Sequence, residues 1–175
     1  MYSVCSAEVF FKEISYRIKK MENLSKVGAS PVHDLFSYLQ GNWELTRTIT
    51  DLRLNIPGYM SGTVAITIQP EKGGKPTLAY REEGELQFGE YKEKVFRDYE
   101  FCFPVAHSAL VLFSDGKIFH ELDLSSGFSR VEHLCFEDSY RGSFRVESPN
   151  VWLSKWLITG PSKELILDNH YQRYE

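Results

Sequence analysis

Phe113-Ser114-Asp115-Gly116-Lys117-Ile118-Phe119-His120 reads as a tight β-hairpin. Asp115-Gly116 suits a two-residue primed turn, which needs positive φ at its central residues. That turn pairs Phe113 with Ile118 and Val111 with His120. Strand side chains alternate between faces, so His120 is expected to share the apolar face with Phe113, Ile118 and Leu122, while Glu121 takes the other.

The same texture extends in both directions. Short runs rich in β-branched and aromatic residues recur about every ten residues, separated by turn signals. Strands are predicted over Trp43–Thr50, Gly62–Gln69, Leu78–Phe88, Glu93–Cys102, Ala109–Phe113, Ile118–Leu122, Ser129–Phe136, Tyr140–Glu147, Val151–Thr159 and Leu165–Arg173. Pro57-Gly58, Gly73-Gly74, Gly127 and Gly160-Pro161 punctuate them. No long helical stretch separates the strands, so parallel crossovers are not expected. About ten antiparallel neighbours in one small domain point to an all-β, up-and-down barrel, which removes exposed edges. A two-sheet sandwich is the competing fold.

One or two helices precede the barrel. Over Val9–Lys26, Phe10, Phe11, Ile14, Ile18 and Met21 form one apolar stripe beside basic residues. This helix is expected to contact the barrel or a partner protein. Gly28-Ala29-Ser30-Pro31 is a linker, and a short helix follows over Val32–Leu39. Residues 1–29 are thus an extension and 30–175 the barrel domain.

The 175 residues carry a net charge of -4, with 42% hydrophobic and 25% charged side chains, the mix of a globular chain. There is no overall basic field for nucleic acid. No apolar run approaches the roughly 18–20 residues of a transmembrane segment. Glu8 and Glu13 interrupt the apolar residues near the start, so a secretory signal is not expected. Cys5, Cys102 and Cys135 are sparse and lack C-x-x-C spacing, which argues against a disulfide framework and structural zinc. A cytoplasmic protein is expected.

Strand parity also selects polar residues that travel with the apolar face. They are Arg47, Glu82, Arg97 and Arg173, His120 and His133, and Tyr80, Tyr99, Tyr140 and Tyr171. Unpaired buried charge costs several kcal/mol or more, so these groups either pair, reach a barrel mouth, or line a cavity. A barrel of about eight to ten strands can hold a ligand. Trp43, Phe113, Trp152 and Trp156 would wall it. Three arginines against one carboxylate leave an excess of positive charge, which suits an anionic or carbonyl head group. The expectation is a small, mostly apolar ligand held by Arg47, Tyr80, Glu82, Arg97, His120, His133, Tyr140, Trp156, Tyr171 and Arg173.

A rival is an isomerase, cyclase or hydrolase on the same scaffold, with Glu82, His120 or Tyr140 as acid or base. Zinc at His120, His133 and Glu82 lacks motif spacing, and no metal site is expected. Haem on one inward histidine is a further alternative; otherwise no cofactor is expected. Cys135 beside His133 reads as a small buried thiol rather than a nucleophile.

L-Q-G-N-W-E-L-T-R (Leu39–Arg47), Y-R-E-E-G (Tyr80–Gly84), F-S-D-G-K-I-F-H (Phe113–His120), H-L-C-F-E-D-S-Y-R-G (His133–Gly142) and W-L-I-T-G-P-S-K (Trp156–Lys163) resemble an uncharacterised family of single-domain, calycin-like barrels. The resemblance covers roughly residues 35–175 and implies the fold. G-N-W (Gly41–Trp43) is similar to the G-x-W entry of lipocalins and fatty-acid-binding proteins. Tyr171 and Arg173 are similar to their final-strand carboxylate holders, in reversed order. Asp51–Ser61 is too short for the helical lid of fatty-acid binders. Ten-stranded haem barrels of the nitrobindin type are similar in size.

Overall fold

The computed structural model describes residues 28–174. The proposed helix over Val9–Lys26 lies outside them. One short helix, α1 (Leu35–Leu39), precedes ten strands: β1 (Gly41–Asp51), β2 (Pro57–Lys72), β3 (Lys75–Phe88), β4 (Tyr91–Val105), β5 (Ser108–Leu112), β6 (Ile118–Asp123), β7 (Phe128–Cys135), β8 (Asp138–Ser148), β9 (Val151–Thr159) and β10 (Glu164–Tyr174).

All ten belong to one sheet in the order β6-β5-β4-β3-β2-β1-β10-β9-β8-β7, antiparallel throughout. β1 pairs with β10, so the sheet curls into an up-and-down barrel whose one seam runs between β6 and β7. The chain before α1 ties that seam at one end. Val32 N–H donates to Leu124 O beyond β6 (3.0 Å), and Ser30 N–H donates to Val146 O on β8 (2.9 Å). These bonds also explain why the helix is shorter than expected. Val32 is spent on the barrel, and Asp34 then caps the helix by accepting from Ser37 N–H at 3.0 Å.

The lower barrel is solid. Leu35 and Leu39 of α1 are fully buried against Trp43, Leu45, Val64, Ile66 and Leu78. Burial of the two leucines contributes about 3–6 kcal/mol, which fastens α1 as a plug. Trp43 Nε1 donates to Leu39 O at 2.9 Å. Arg173 lies over the Trp43 ring at 4.1 Å and donates to Gln40 O (2.7 Å) and Tyr38 O. These contacts satisfy carbonyls that a helix end leaves without partners.

The hairpin differs from its sequence reading. Gly116 is left-handed (φ +82), and Asp115 is not among the residues with positive φ. Phe113 O accepts from Gly116 N–H, and Phe113 N–H donates to Lys117 O, both at 2.9 Å. The loop therefore spans three residues and Phe113 faces Lys117, not Ile118. The register returns through a bulge: Leu112 opposes Ile118 and Val111 opposes His120, leaving Phe119 as the extra residue. Ile118 turns outward, 57% exposed, while Phe119 and His120 both turn inward.

Candidate functional site

Above the plug the barrel is hollow. A cavity of about 780 Å³ runs from mid-barrel towards the end opposite α1. Its apolar wall includes Leu86, Val95, Phe113, Trp156, Ile158 and Leu167. Phe119 lies between Tyr99 and Trp156 as a near-parallel stack, with interplanar angles of 8° and 11°.

A polar network crosses the floor. Arg47 Nη1 and Nη2 each donate to one Glu82 oxygen at 2.8 Å. Tyr80 O–H donates to Glu82 Oε2 at 2.8 Å, and the Tyr171 hydroxyl lies 3.5 Å from that of Tyr80. Arg47 Nε donates to Asn169 Oδ1, while Asn169 Nδ2 donates to Ser154 O (3.1 Å) and Oγ (2.9 Å). Local sequence makes this reach possible. Gly62 and Gly84 oppose each other in the row between those of Arg47 and Glu82, so β2 and β3 place no side chain there. A Cβ on Gly62 would sit 2.1 Å from Glu83 O, and such close approach is a position for glycine.

Burial works against both members of the ion pair, and the pair overrides it. Burial pushes the Glu82 carboxyl up, but the Arg47 hydrogen bonds and the charges of Arg47 and Arg97 hold it below the ordinary carboxylate value. Burial opposes the Arg47 charge, yet Glu82 raises its pKa. Burial first, and neighbouring charge second, raise the Tyr80 pKa. Glu82 is therefore ionised and held by three short hydrogen bonds, poorly placed to serve as acid or base.

Arg97 is different. It projects from β4 directly opposite Glu82 and lines the cavity. Among the described residues its guanidinium makes no hydrogen bond or ion pair; its electrostatic neighbours are Tyr99, Glu82, Arg47 and Tyr80. The side chain is exposed to solvent, and although the surrounding atoms oppose its charge, Tyr99 and Glu82 hold its pKa above the ordinary value. Arg47 and Glu82 neutralise each other, and among the charged residues that line the cavity Arg97 is the one left without a hydrogen bond or ion pair among the described residues.

His120, His133 and Tyr140 line the β6–β8 side. Both imidazoles contact Phe119, with ring centroids 4.8 and 5.1 Å away. The Tyr140 hydroxyl accepts from Lys163 Nζ at 3.3 Å. Burial pushes the His120 pKa down to about 4 from 6.5, with a smaller contribution from His133. Between those values the unfolded chain binds a proton that the folded chain refuses. Stability is expected to fall as pH drops through that window, by about 3 kcal/mol in total. Urea midpoints measured across it should show this slope in the wild type and a shallower one in His120→Phe.

Two expected residues are elsewhere. Arg173 has inward parity but lies beneath the floor, where it closes the barrel on α1. Trp43 is likewise part of the solid base. Trp152 and Phe113 do reach the cavity, as does Cys135, which is half-buried. Glu82 is consumed by Arg47, and among the described residues no group of three His, Cys, Asp or Glu side chains gathers as metal ligands. Ser154 and Phe119 are cavity residues beyond the expected set. Ser154 was open to parity, since it lies between Trp152 and Trp156; Phe119 was not, because a bulge reverses its face.

Residues 39–173 match the model of a family of unknown function, DUF6314. The chain belongs to DUF6314. No curated protein matches the sequence. This DUF6314 fold is similar to an S-type phycobiliprotein lyase, CPES, from Guillardia theta, with a TM-score of 0.64 and 10% identity over 85% of this chain and 95% of that one. It is also similar to a protein of unknown function of the DUF3598 family from Nostoc punctiforme, with a TM-score of 0.56 and 14% identity over 85% of this chain and 52% of that one. At such identities the likeness concerns the fold. Among the described residues of the DUF6314 chain, no helix is long and apolar enough to cross a membrane.

Proposed function

We propose that this DUF6314 barrel binds a small, mostly apolar molecule with an anionic or carbonyl head group. Arg97 carries the reading. It is the lumenal cation without a hydrogen-bonded partner among the described residues, whereas Arg47 is matched by Glu82. A guanidinium facing an apolar cavity suits a carboxylate in two-point contact, and the Tyr99, Phe113 and Trp156 rings bury the remainder of the ligand. The Arg47–Glu82–Tyr80–Asn169 network acts as a rigid floor. A structural neighbour of this fold is an S-type phycobiliprotein lyase. Acid–base chemistry, the second reading, would fall to His120 and Tyr140. Cytoplasmic residence is the accompanying expectation.

Native mass spectrometry with a panel of apolar carboxylates tests the proposal. Saturable one-to-one complexes are expected. No saturable complex with any acid of a size that fits the cavity overturns the reading.

A further inference from the structure

The cavity has a second polar pole, and it constrains the ligand further. His120 Nδ1 lies 3.2 Å from the backbone oxygen of Glu121. A carbonyl only accepts, so the ring proton sits on Nδ1 and Nε2 carries a lone pair. Among the described residues Nε2 has no hydrogen-bond partner, and the ring lines the cavity between Phe119, Phe144 and Trp156. The bulge at Phe119 brings both residues inward together.

Register places this acceptor away from Arg97. His120 opposes Val111, which opposes Phe101, so His120 is two strands across from Arg97 and offset by four residues along the strands. Strand spacings put about 16 Å between the two Cα atoms along the sheet, and both side chains line the cavity. The stack of Tyr99, Phe119 and Trp156 makes an aromatic wall beside that space.

We propose that the cavity takes an apolar acid with an O–H or N–H donor at its far end, the acid at Arg97 and the donor at His120 Nε2. This rests on the binding reading above. A neutral imidazole whose N–H is already committed accepts a hydrogen bond and offers none, so a distal methoxy or carbonyl group gains nothing there. The groups facing His120 are His133, beyond Phe119, and the Phe144 and Trp156 rings; none of these is a carboxylate.

Calorimetric titration of the full chain with biphenyl-4-carboxylate, its 4′-hydroxy derivative and its 4′-methoxy derivative tests the proposal. The hydroxy acid is expected to bind about five- to tenfold tighter than the other two. His120→Phe should erase that gap, and His120→Gln, which retains an acceptor, should keep part of it. In ¹⁵N NMR, His120 Nε2 should resonate as a bare nitrogen and shift only with the hydroxy acid. Equal affinities in the wild type, or a gap that survives His120→Phe, overturn the His120 pole and leave the binding reading intact. No saturable binding by any of the three acids overturns both.

Discussion

Glu82→Gln is expected to destabilise the protein by about 3–5 kcal/mol, the cost of removing one partner of a buried ion pair. The carboxylate is 2% exposed and accepts from Arg47 twice and Tyr80 once. Its loss leaves two lumenal cations, Arg47 and Arg97, facing each other without compensation. Arg47→Met should cost less. The orphaned Glu82 then has Arg97 directly opposite on β4 as a substitute partner. The double variant Arg47→Met/Glu82→Leu should lie near the wild type, because apolar groups of similar volume often replace a buried pair at little cost. Urea unfolding of the three variants measures the ordering. A Glu82→Gln change within about 1 kcal/mol of wild type, in the range of an exposed pair, would contradict the closed floor. The pH sign follows from the depressed Glu82 pKa. Its stabilisation is present above the ordinary carboxylate range and is lost as pH falls through the folded value.

Arg97→Gln has the opposite signature. Affinity for an apolar carboxylate should fall about 10–100-fold, the range of a lost charged hydrogen bond. Affinity for the matching primary amide should hardly change. The unliganded protein should stay close to wild type, since Arg97 is exposed and makes no hydrogen bond or ion pair among the described residues. Paired calorimetric and thermal-melt measurements check both halves. A lower melting temperature with unchanged affinity would assign Arg97 to structure.

Much of this was legible in the chain. Alternation placed Arg47, Glu82, Arg97, His133 and Tyr140 on the inner face, because period-two patterning is a local property. Height along the barrel is not local. Arg173 has the right face and the wrong place: it is spent on Gln40 O and Tyr38 O over the Trp43 ring, long-range contacts that alternation does not reveal. The Arg47–Glu82 bond was unreadable for the same reason: it spans three strands and crosses the Gly62–Gly84 row. Phe119 was hidden because a left-handed Gly116 lengthens the loop and a bulge repays the register one residue later. Pattern gives faces, and the closed, tilted barrel gives depth. The distinction between a neutralised arginine and an open one needed depth.

Calorimetric titration of the wild-type chain with an apolar aryl carboxylate and with its primary amide is the most direct test. A single saturable site for the acid, at least about tenfold tighter than for the amide, is the predicted result. No saturable site for either compound, or equal affinity for both, would contradict an open guanidinium waiting inside the barrel.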